Sequence, residues 1–584
     1  MYTILENARI VLALLKKHNI RHIVLSPGGS NIPIVQGVQQ DPFFKCYSVV
    51  DERSAMYFAI GLYLQTGEII ATSCTSAQAT RNYVPGLTEA FYKKVPILAI
   101  TMSKHPRYLG QEYMQCPIQT SLPVDAVKKS FSLPRIGNEH DRALCVRMAN
   151  EAILELTHHS KGPVQLNIEE LDNETWVLDD NIKELPDVRK ITRYNYWDSI
   201  SPNELSGKKI MLLIGEHIPF SEAERNAIEK FSESHNVVIY SNHTSNYSGK
   251  YSLNANLFTG RLPQELFQKK YCPDILITVG GLTGDYFIYG RLFSSPENSF
   301  EHWRIDLDGN VVDTYGKLTR IYQTRTEDFF SRATGDVEEE HSYFNVWKEG
   351  VYSMNYDVDI PLSNLYAAIK LCKHIPEGSY INFAILNSLR VWSWVKIPSS
   401  VKAFSNLAAF GIDGCMSVAI GESVVTDELC FHITGDLAFF YDMNALGIRH
   451  IKNNLRIVLC NNNGGMEFKF GGVKNTDIGS YIAADNHFKN SEGWALTNGF
   501  QYHAVHSTSE FDRLIDEFVS PSDKPILIEI FTNPENERTA NTLLNNINWR
   551  GNSFKDKMKH DVKSAVMDVI GDKGVQFIKK VINK

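Results

Sequence analysis

Residues 435–465 read GDLAFFYDMNALGIRHIKNNLRIVLCNNNGG, and this stretch shows most clearly how apolar runs and a helical pattern alternate along the chain. It begins where one apolar run, LCFHIT, ends, and it closes just after a second apolar run, LRIVLC. Between the two runs, FFYDMNALGIRHI carries apolar residues at helical spacing, which predicts a strand, a helix and a second strand. Because ligands bind at the carboxyl ends of strands in open parallel sheets, we expect Asp436 and the asparagines after the second strand to lie side by side.

The same alternation of short apolar runs with helical patterns recurs along the chain. The predicted strands are RHIVL, EIIATSC, VPILAIT, GPVQLNIEE, KKIMLLIGE, NVVIYSN, PDILITVGG, HWRIDLD, GSYINFAIL, LCFHITGD, LRIVLCNNN and KPILIEIFT. This pattern is typical of α/β proteins whose parallel sheets are buried on both faces. A chain of 584 residues is too long for one core. Polar stretches near residues 180–204 and 334–346 therefore predict three successive doubly wound parallel-sheet domains.

Composition narrows the class of protein. Hydrophobic residues make up 43% of the chain and the net charge is −8, which gives no reason to expect nucleic acid or a membrane as partner. The nine cysteines are scattered without a CxxC pair, which favours reduced thiols in a cytoplasmic protein and disfavours a zinc site. The N-terminus shows no basic segment before its apolar residues, so we expect neither a signal peptide nor a membrane span.

The residue types at the two strand ends suit a divalent cation and a diphosphate. An Asp carboxylate, an Asn amide oxygen and a carbonyl from a glycine turn are ligands that Mg²⁺ takes together with phosphate oxygens. The helix that starts after Asp436 points free N–H groups toward the same edge, and such groups favour phosphate. The competing interpretation is that Asp and Asn only cap the helix and form the turn.

Several motifs of this chain, taken together, resemble those of thiamine-diphosphate-dependent enzymes. Gly435-Asp436 followed by Asn461-Asn462 resembles the motif GDG followed by NN, with Leu437 in place of the second glycine. LSPGGSNIP, VVDERSAMYFAIGL and SNLAAFGIDG resemble segments of one branch, the MenD-like synthases, which join 2-oxoglutarate to isochorismate. The resemblance spans most of residues 1–540. It implies a pyrimidine-binding domain, a central α/β domain and a diphosphate-binding domain, at 1–186, 205–340 and 361–540.

The resemblance also implies a role for individual residues. Glu52 would hydrogen-bond the aminopyrimidine of thiamine diphosphate, and Ile412 would hold the cofactor in a bent shape. The side chains of Asp436 and Asn462 and the carbonyl of Gly464 would bind Mg²⁺. Three further residues match cofactor-binding positions: Ser388, Leu437 and Ala438. The cofactor would act as electron sink while a 2-oxo acid loses CO₂, before the resulting carbanion reaches an acceptor.

In this family the two ends of the cofactor bind to domains of different subunits. The resemblance therefore implies a homodimer or homotetramer with active sites at the subunit interface, in which Glu52 meets Asp436 of the second copy.

Where this sequence departs from the family pattern, it does so at positions that bind the substrate in the family. Ser30, Leu407 and Trp392 stand where the family has arginines, and Glu467 stands at an apolar position. Arginine pairs with carboxylates in bidentate fashion, so these changes predict a carboligase whose acceptor is not the dianion isochorismate. Arg390 is either a replacement anchor or a surface charge. The candidate substrate-pocket residues are Ser30, Asn31, Gln78, Trp392 and Glu467.

Three alternatives stay open from the sequence. The chain could be a true synthase acting on 2-oxoglutarate and isochorismate, a simple 2-oxo acid decarboxylase, or a non-catalytic scaffold or regulatory subunit. Retention of Glu52, Asp436 and Asn462 argues against the last of these. Residues 541–584 form a lysine-rich extension with helical spacing, for which we expect amphipathic helices packed on protein rather than on a membrane.

Overall fold

The computed structural model describes residues 2–170, 178–179, 181–336, 340–470 and 477–548. The chain divides into two compact units. One comprises Met1–Trp197 and Leu307–Gln323, and the other comprises Asp198–Asp306 and Thr324–Lys584. Parallel sheets with helices form in all three predicted sections, which confirms the predicted α/β class. The boundaries of the three domains stay predictions.

The first section contains a six-stranded parallel sheet in the order β3-β2-β4-β5-β7-β6, and a short antiparallel pair of β1 with β8. Its strands are β1 (Tyr2–Thr3), β2 (His22–Leu25), β3 (Lys45–Ser48), β4 (Ile70–Cys74), β5 (Ile97–Ser103), β6 (Ser130–Leu133), β7 (Val164–Glu169) and β8 (Leu178–Asp179). Its helices are α1 (Glu6–Lys17), α2 (Ile32–Gln40), α3 (Glu52–Thr66), α4 (Gln78–Asn82), α5 (Val84–Tyr92) and α6 (Glu139–Glu155).

Two hydrophobic cores flank this sheet. Successive residues of a strand point to opposite faces, so Ile23 and Leu98 belong to one core while Val24 and Ile97 belong to the other. The first core is completed by residues of α1 and α6, and the second by residues of α3 and α5. Burial on both faces explains why the central strands carry apolar residues on both faces and are buried at nearly every position.

The second section is also built on parallel strands. Strands β12-β11-β10-β13-β14 are neighbours in that order, and β15 pairs with β9. The strands are β9 (Thr192–Asn195), β10 (Ile210–Ile214), β11 (Val237–Tyr240), β12 (Ser252–Leu253), β13 (Ile275–Val279), β14 (Glu301–Ile305) and β15 (Leu318–Gln323). The helices are α7 (Glu222–Glu233), α8 (Asn256–Arg261), α9 (Gln264–Leu266), α10 (Tyr286–Phe293), α11 (Thr326–Ala333) and α12 (Ser342–Tyr352).

The third section contains a six-stranded parallel sheet in the order β17-β16-β18-β19-β21-β20. Its strands are β16 (Tyr380–Phe383), β17 (Lys402–Ser405), β18 (Cys430–Gly435), β19 (Leu455–Asn461), β20 (Gln501–Val505) and β21 (Ile526–Phe531). Its helices are α13 (Asn364–Leu371), α14 (Asn387–Trp392), α15 (Cys415–Ser423), α16 (Asp436–Tyr441), α17 (Met466–Lys469), α18 (Asp477–Ile482), α19 (Glu492–Thr497), α20 (Thr508–Phe518) and α21 (Pro534–Ile547).

The helix expected between the strands of the opening stretch is shorter than the sequence pattern indicates. Helix α16 ends at Tyr441, and a separate 3-10 turn, Met443–Gly447, follows it. Between them, the carboxylate of Asp442 accepts hydrogen bonds from the backbone N–H and the hydroxyl of Ser417, at 2.7 and 2.8 Å. This attachment to α15 pulls Asp442 out of helical geometry, with φ at −120°.

Three further expectations concern membrane spans, the C-terminal extension and the cysteines. None of the helices in the described part of the chain is both long and apolar enough to cross a membrane. Helix α21 includes the start of the predicted C-terminal extension, whereas residues 549–584, for which we expect amphipathic helices, lie outside the described residues. All nine cysteines lie within the described residues and are free thiols.

Candidate active site

The opening stretch forms the predicted corner at the edge of the third sheet. Strands β18 and β19 are parallel neighbours, with Gly435 opposite Cys460. One carboxylate oxygen of Asp436 accepts a hydrogen bond from the backbone N–H of Gly464 at 2.9 Å, and the other accepts from the N–H of Leu437 at 2.7 Å. Asp436 is buried, and burial raises its pKa to about 6, although these hydrogen bonds oppose the rise. The corner therefore holds a carboxylate that a cation would stabilise.

Asn462 supplies a second oxygen at this corner. Its side-chain oxygen is buried and accepts no hydrogen bond from any residue that the structure describes. A buried polar atom without a partner is costly, so such atoms are usually satisfied by water, an ion or a ligand. The preceding Asn461 has a different role, because its amide donates to the Glu529 carboxylate at 2.7 Å and to the carbonyl of Lys489. Of the paired asparagines, only Asn462 keeps its oxygen open.

The turn after β19 depends on Gly464. Its φ is +143°, and a Cβ at this position would lie 2.4 Å from a carboxylate oxygen of Asp485 and 2.8 Å from the carbonyl oxygen of Ala483. Asn463 just before it also has a positive φ, of 64°. This tight path brings the Gly464 N–H to Asp436, so glycine is required by space as well as by backbone conformation.

The donor set at this corner fits Mg²⁺. One carboxylate, one open amide oxygen and a turn carbonyl are hard oxygen ligands, and Mg²⁺ completes its shell with phosphate and water. Within the described ranges there is no group of three His, Cys, Asp or Glu side chains that could hold a metal. The described residues therefore offer no site of the kind that binds zinc or other transition metals. A dication at Asp436 and Asn462 would satisfy the open oxygen and favour the ionised carboxylate.

Two of the predicted cofactor residues pack together nearby. Half-buried Ile412 packs against a small cluster formed by Ala384, Cys415 and Ala438. Ala438 lies on α16, two residues after Asp436, so Ile412, the predicted support residue, packs against the helix that begins at the predicted Mg²⁺ corner. Leu437 is half-buried, and a Cβ at Gly465 would lie 3.4 Å from its side chain. Ser388 lies on α14 and is buried.

Glu52 belongs to the other compact unit and begins α3. The preceding residue, Asp51, caps this helix by accepting from the N–H of Ser54 at 2.8 Å. The amide of Asn82, at the end of α4, donates to the Glu52 carboxylate at 3.0 Å. This contact fixes the direction of the Glu52 side chain. Sequence reasoning missed Asn82, because nothing in its spacing from Glu52 signals a pairing across 30 residues.

Three candidate substrate residues follow the carboxyl ends of β2 and β4. The hydroxyls of Ser30 and Ser76 lie 3.3 Å apart, and Gln78 is exposed at the start of α4, two residues after Ser76. Asn31 is fully buried and donates to the carbonyl of Ser26 at 3.0 Å, while its own side-chain oxygen is buried with no partner among the described residues.

The other two candidate substrate residues are arranged differently from each other. Trp392 is fully buried, its indole N–H donates to the side chain of Asn364 at 3.2 Å, and its ring packs on Phe383. Glu467 is partly exposed on α17 and pairs with Arg390, whose guanidinium nitrogen lies 2.7 Å from both carboxylate oxygens. The sequence analysis singled out both Arg390 and Glu467, but nothing in the sequence indicates that they are in contact.

Comparison with known proteins agrees with these observations. A family model described as "Thiamine pyrophosphate enzyme, N-terminal TPP binding domain" matches residues 6–122. The chain is 33% identical over 558 residues to the 2-succinyl-5-enolpyruvyl-6-hydroxy-3-cyclohexene-1-carboxylate synthase of Bacteroides thetaiotaomicron, covering 91% of this chain and 97% of the relative. The synthase of the same name from Phocaeicola vulgatus is 34% identical, with 92% and 98% covered.

A more distant relative carries the same name. The synthase of Desulfotalea psychrophila is 29% identical over 530 residues, covering 88% of this chain and 96% of the relative. These full-length similarities favour the alternative in which the chain is a true synthase over the prediction that isochorismate is not the acceptor. The chain is a thiamine-diphosphate-dependent enzyme that belongs to the family of 2-succinyl-5-enolpyruvyl-6-hydroxy-3-cyclohexene-1-carboxylate synthases.

Proposed function

We propose that this enzyme uses thiamine diphosphate and Mg²⁺ to decarboxylate a 2-oxo acid and transfer the resulting carbanion to an acceptor. The resemblance to the MenD-like synthases makes 2-oxoglutarate the first donor and isochorismate the first acceptor to consider, and the full-length relatives carry the name of the same synthase. The observation that carries the proposal is the corner where the buried Asp436 carboxylate meets the Gly464 turn beside the open oxygen of Asn462.

The chain's own residues supply the binding functions. The side chains of Asp436 and Asn462 and the carbonyl of Gly464 would hold Mg²⁺, and the metal would hold the diphosphate. Ser388, Ile412, Leu437 and Ala438 complete the proposed cofactor-binding set. Bound thiamine diphosphate supplies an electron sink for the loss of CO₂.

Glu52 is the proposed acid–base residue. Its carboxylate would accept or hold a proton at the aminopyrimidine nitrogen, and the contact from Asn82 keeps it in one orientation. A carboxylate at this position would act as a general acid and base, for which a contribution of about 10²–10⁴ in rate is typical.

The proposed assembly is a homodimer or homotetramer. Helix α3, which begins with Glu52, carries large apolar side chains that are 47% (Tyr57), 42% (Phe58) and 64% (Leu64) exposed in the single chain. An apolar face next to a proposed active-site residue supports docking of a second copy there. The nine free cysteines support a cytoplasmic location.

A second candidate function differs in the acceptor. Leu407 and Trp392, which stand at two of the family's arginine positions, are both fully buried, so neither position offers a polar group to a ligand. Ser30, at the third position, has its hydroxyl 3.3 Å from that of Ser76. This loss of cationic anchors favours an uncharged or aldehyde acceptor over a dianion.

The first experiment measures CO₂ release by the purified chain with thiamine diphosphate and Mg²⁺ over a panel of 2-oxo acids that includes pyruvate and 2-oxoglutarate. We expect release from 2-oxoglutarate and a loss of about 10³-fold in Glu52→Gln, because the proton-holding group is removed. The matched control is Glu89→Gln, a surface residue that pairs with Lys93 on α5. Equal release by the Glu52 variant would contradict the proposal.

The acceptor is then identified with the same protein. Isochorismate is added with the preferred donor, and the product is followed by mass spectrometry. Formation of the synthase product supports the first candidate. Carbon dioxide release that isochorismate neither accelerates nor diverts supports the second, and a panel of aldehydes would follow.

A further inference from the structure

We propose that Gln119 is a positioning residue that acts on Glu52 through helix α4. Its side chain holds the backbone of Ala77, where α4 begins, and the last residue of α4, Asn82, contacts the Glu52 carboxylate. The inference rests on the proposed function, in which Glu52 is the acid–base residue. All four residues belong to the same compact unit.

Ala77 has a backbone conformation that glycine adopts far more readily than alanine. Its φ is 66° and its ψ is −119°, outside the regions that a residue with a Cβ occupies at low cost. Such a conformation persists only where the surrounding structure holds it, and it occurs preferentially at functional sites. The start of α4 depends on it, because Ala77 is the residue at which the chain leaves the turn after β4 and enters the helix.

The side chain of Gln119 provides this hold. Its carbonyl oxygen accepts a hydrogen bond from the backbone N–H of Ala77 at 2.8 Å. Its amide nitrogen donates to the backbone carbonyl of Met102 at 2.6 Å and to the side-chain oxygen of Asn167 at 3.0 Å. Gln119 is buried, so water does not compete for these bonds. The two acceptors fix the amide in one orientation, which presents its oxygen to Ala77.

The acceptors of Gln119 belong to the middle of the first sheet. Met102 lies on β5 and Asn167 lies on β7, and these two strands are neighbours. The side chain of Asn167 is held in turn, because its amide donates to the hydroxyls of Ser103 and Ser132 at 2.8 and 3.0 Å. A buried polar network whose members are bonded to one another is rigid. Gln119 therefore ties the start of α4 to a rigid part of the sheet.

A second contact joins the same segment to the end of α4. The guanidinium of Arg81 donates to the backbone carbonyl of Ile118 at 2.6 Å. The next residue, Asn82, donates to the Glu52 carboxylate at 3.0 Å. A helix of five residues is too short to be stable by itself, so its position depends on contacts of this kind. Residues 118 and 119 thus hold α4 near both of its ends.

The consequence for Glu52 is one of orientation. Acid–base catalysis requires hydrogen-bond reach, with heavy atoms about 2.6–3.2 Å apart. If α4 shifts, Asn82 no longer holds the carboxylate, and fewer Glu52 side chains have the productive orientation at any moment. A change of this kind lowers kcat and leaves the binding of the donor largely unchanged.

The first measurement is backbone amide exchange in the full-length protein without cofactor, followed by mass spectrometry with fragmentation to single residues. We expect the Ala77 N–H to exchange slowly in the unsubstituted protein and about tenfold faster in Gln119→Met, because the substitution removes its acceptor. Fast exchange of this N–H in the unsubstituted protein would overturn the proposal, whether or not the variant folds.

The matched control is Asn150→Leu. Asn150 is a buried amide on α6 with the same bonding pattern, since its oxygen accepts from the N–H of Ile191 at 2.8 Å. Its nitrogen donates to the carbonyls of Val146 and Arg189, both at 2.9 Å. We expect this variant to lose stability while the Ala77 N–H exchanges as in the unsubstituted protein. An equal rise in exchange in both variants would show a general loss of packing and would overturn the proposal.

Kinetics and a rescue variant give the second readout. With 2-oxoglutarate as donor, Gln119→Met is expected to lower kcat about tenfold with KM within about twofold. Adding Ala77→Gly should recover most of this loss and slow the exchange of the other α4 amides, because glycine adopts the required conformation without being held. Poor packing around residue 119 would gain nothing from this change, so the absence of recovery would overturn the proposal.

Asn82→Ala tests the last link to Glu52. It changes an exposed side chain and is expected to reproduce the loss in kcat, and adding Gln119→Met should then lower kcat by less than about twofold. Fully additive losses would show that Gln119 does not act through α4. If the unsubstituted protein decarboxylates no 2-oxo acid, the proposed function fails. Amide exchange in Gln119→Met, with and without Ala77→Gly, still decides whether Gln119 holds Ala77.

Discussion

The corner formed by Asp436, Asn462 and Gly464 and the region of α14 and α17 lie in the same compact unit, but their polar groups are satisfied to different degrees. At the corner, Asn462 keeps an open oxygen and Asp436 keeps a carboxylate that burial has made hard to ionise. In the α14–α17 region, Arg390 is already paired with Glu467, and Trp392 is packed into the core. In the first region a buried oxygen has no partner among the described residues. In the second region the charges of Arg390 and Glu467 neutralise each other, although the buried Nε of Arg390 has no acceptor among the described residues. The predicted cofactor-binding residues and the predicted substrate residues thus differ in how far the protein itself satisfies their polar groups.

The largest expected effect is a change in the free energy of unfolding with pH and Mg²⁺, caused by the buried Asp436. The pKa of Asp436 is raised from 3.8 to about 6 in the folded protein, so between those values the folded state holds its proton more tightly than the unfolded state. Without metal, the free energy of unfolding should fall as pH rises through this window, by up to about 3 kcal/mol from this group. Mg²⁺ with thiamine diphosphate should restore stability at pH 7 by binding the ionised form.

Urea unfolding at pH 4 to 7, with and without Mg²⁺ and thiamine diphosphate, checks this expectation. Asp436→Asn is the comparison, because its difference from the unsubstituted protein isolates one group from other buried acids such as Glu537. Identical pH profiles for the two proteins would show that Asp436 does not carry the effect.

Gly464→Ala tests whether the corner depends on its tight turn. The added methyl would meet Asp485 and the Ala483 carbonyl in a backbone conformation that alanine disfavours, and we expect a loss of about 2 kcal/mol of stability together with weaker Mg²⁺ binding. Gly493→Ala is the control, since that glycine lies in helix α19 with open space around it. Thermal unfolding and metal titration measure both quantities. Equal effects of the two substitutions would contradict the assignment.

The smallest effect is expected from Trp392→Phe. This change removes the indole N–H that donates to Asn364 while keeping an aromatic ring against Phe383, so a loss of about 1 kcal/mol of stability is expected. The KM for the donor should not change, because the ring is fully buried. Urea unfolding and steady-state kinetics on the same preparation give both values. A KM shift without loss of stability would restore Trp392 as a pocket residue.

The sequence could predict the interior strands because apolar residues point to both of their faces, so each strand appears as a short run rich in apolar residues. Strands β2, β4, β5 and β7 of the first sheet all appeared as apolar runs, whereas the edge strands β3 and β6 did not. The edge strand β3 is KCYS, largely exposed, and β17 and β20 at the edges of the third sheet are similarly mixed. An edge strand is covered on fewer sides, so its composition resembles that of a loop.

The candidate site divides in the same way. The meeting of Asp436 with the Gly464 turn follows from strand topology, which the alternating pattern indicates. Whether Trp392 and Arg390 are buried or exposed depends on which face of α14 turns toward the core. Side chains two residues apart on an α-helix point in directions that differ by about 200°. Since Arg390 faces Glu467, Trp392 must face the core, and no local pattern in a six-residue helix decides this choice.

The first and third sheets repeat one plan. Numbered within its own section from the first of the six strands, each sheet has the order 2-1-3-4-6-5, and all of its strands are parallel. In both sheets the carboxyl ends of the parallel strands lie at one edge, so the chain has two equivalent sheet edges at which a ligand can be held. Each edge carries an acid at the start of a helix: Glu52 begins a helix of fifteen residues, and Asp436 begins a helix of six residues directly after the third strand of its sheet.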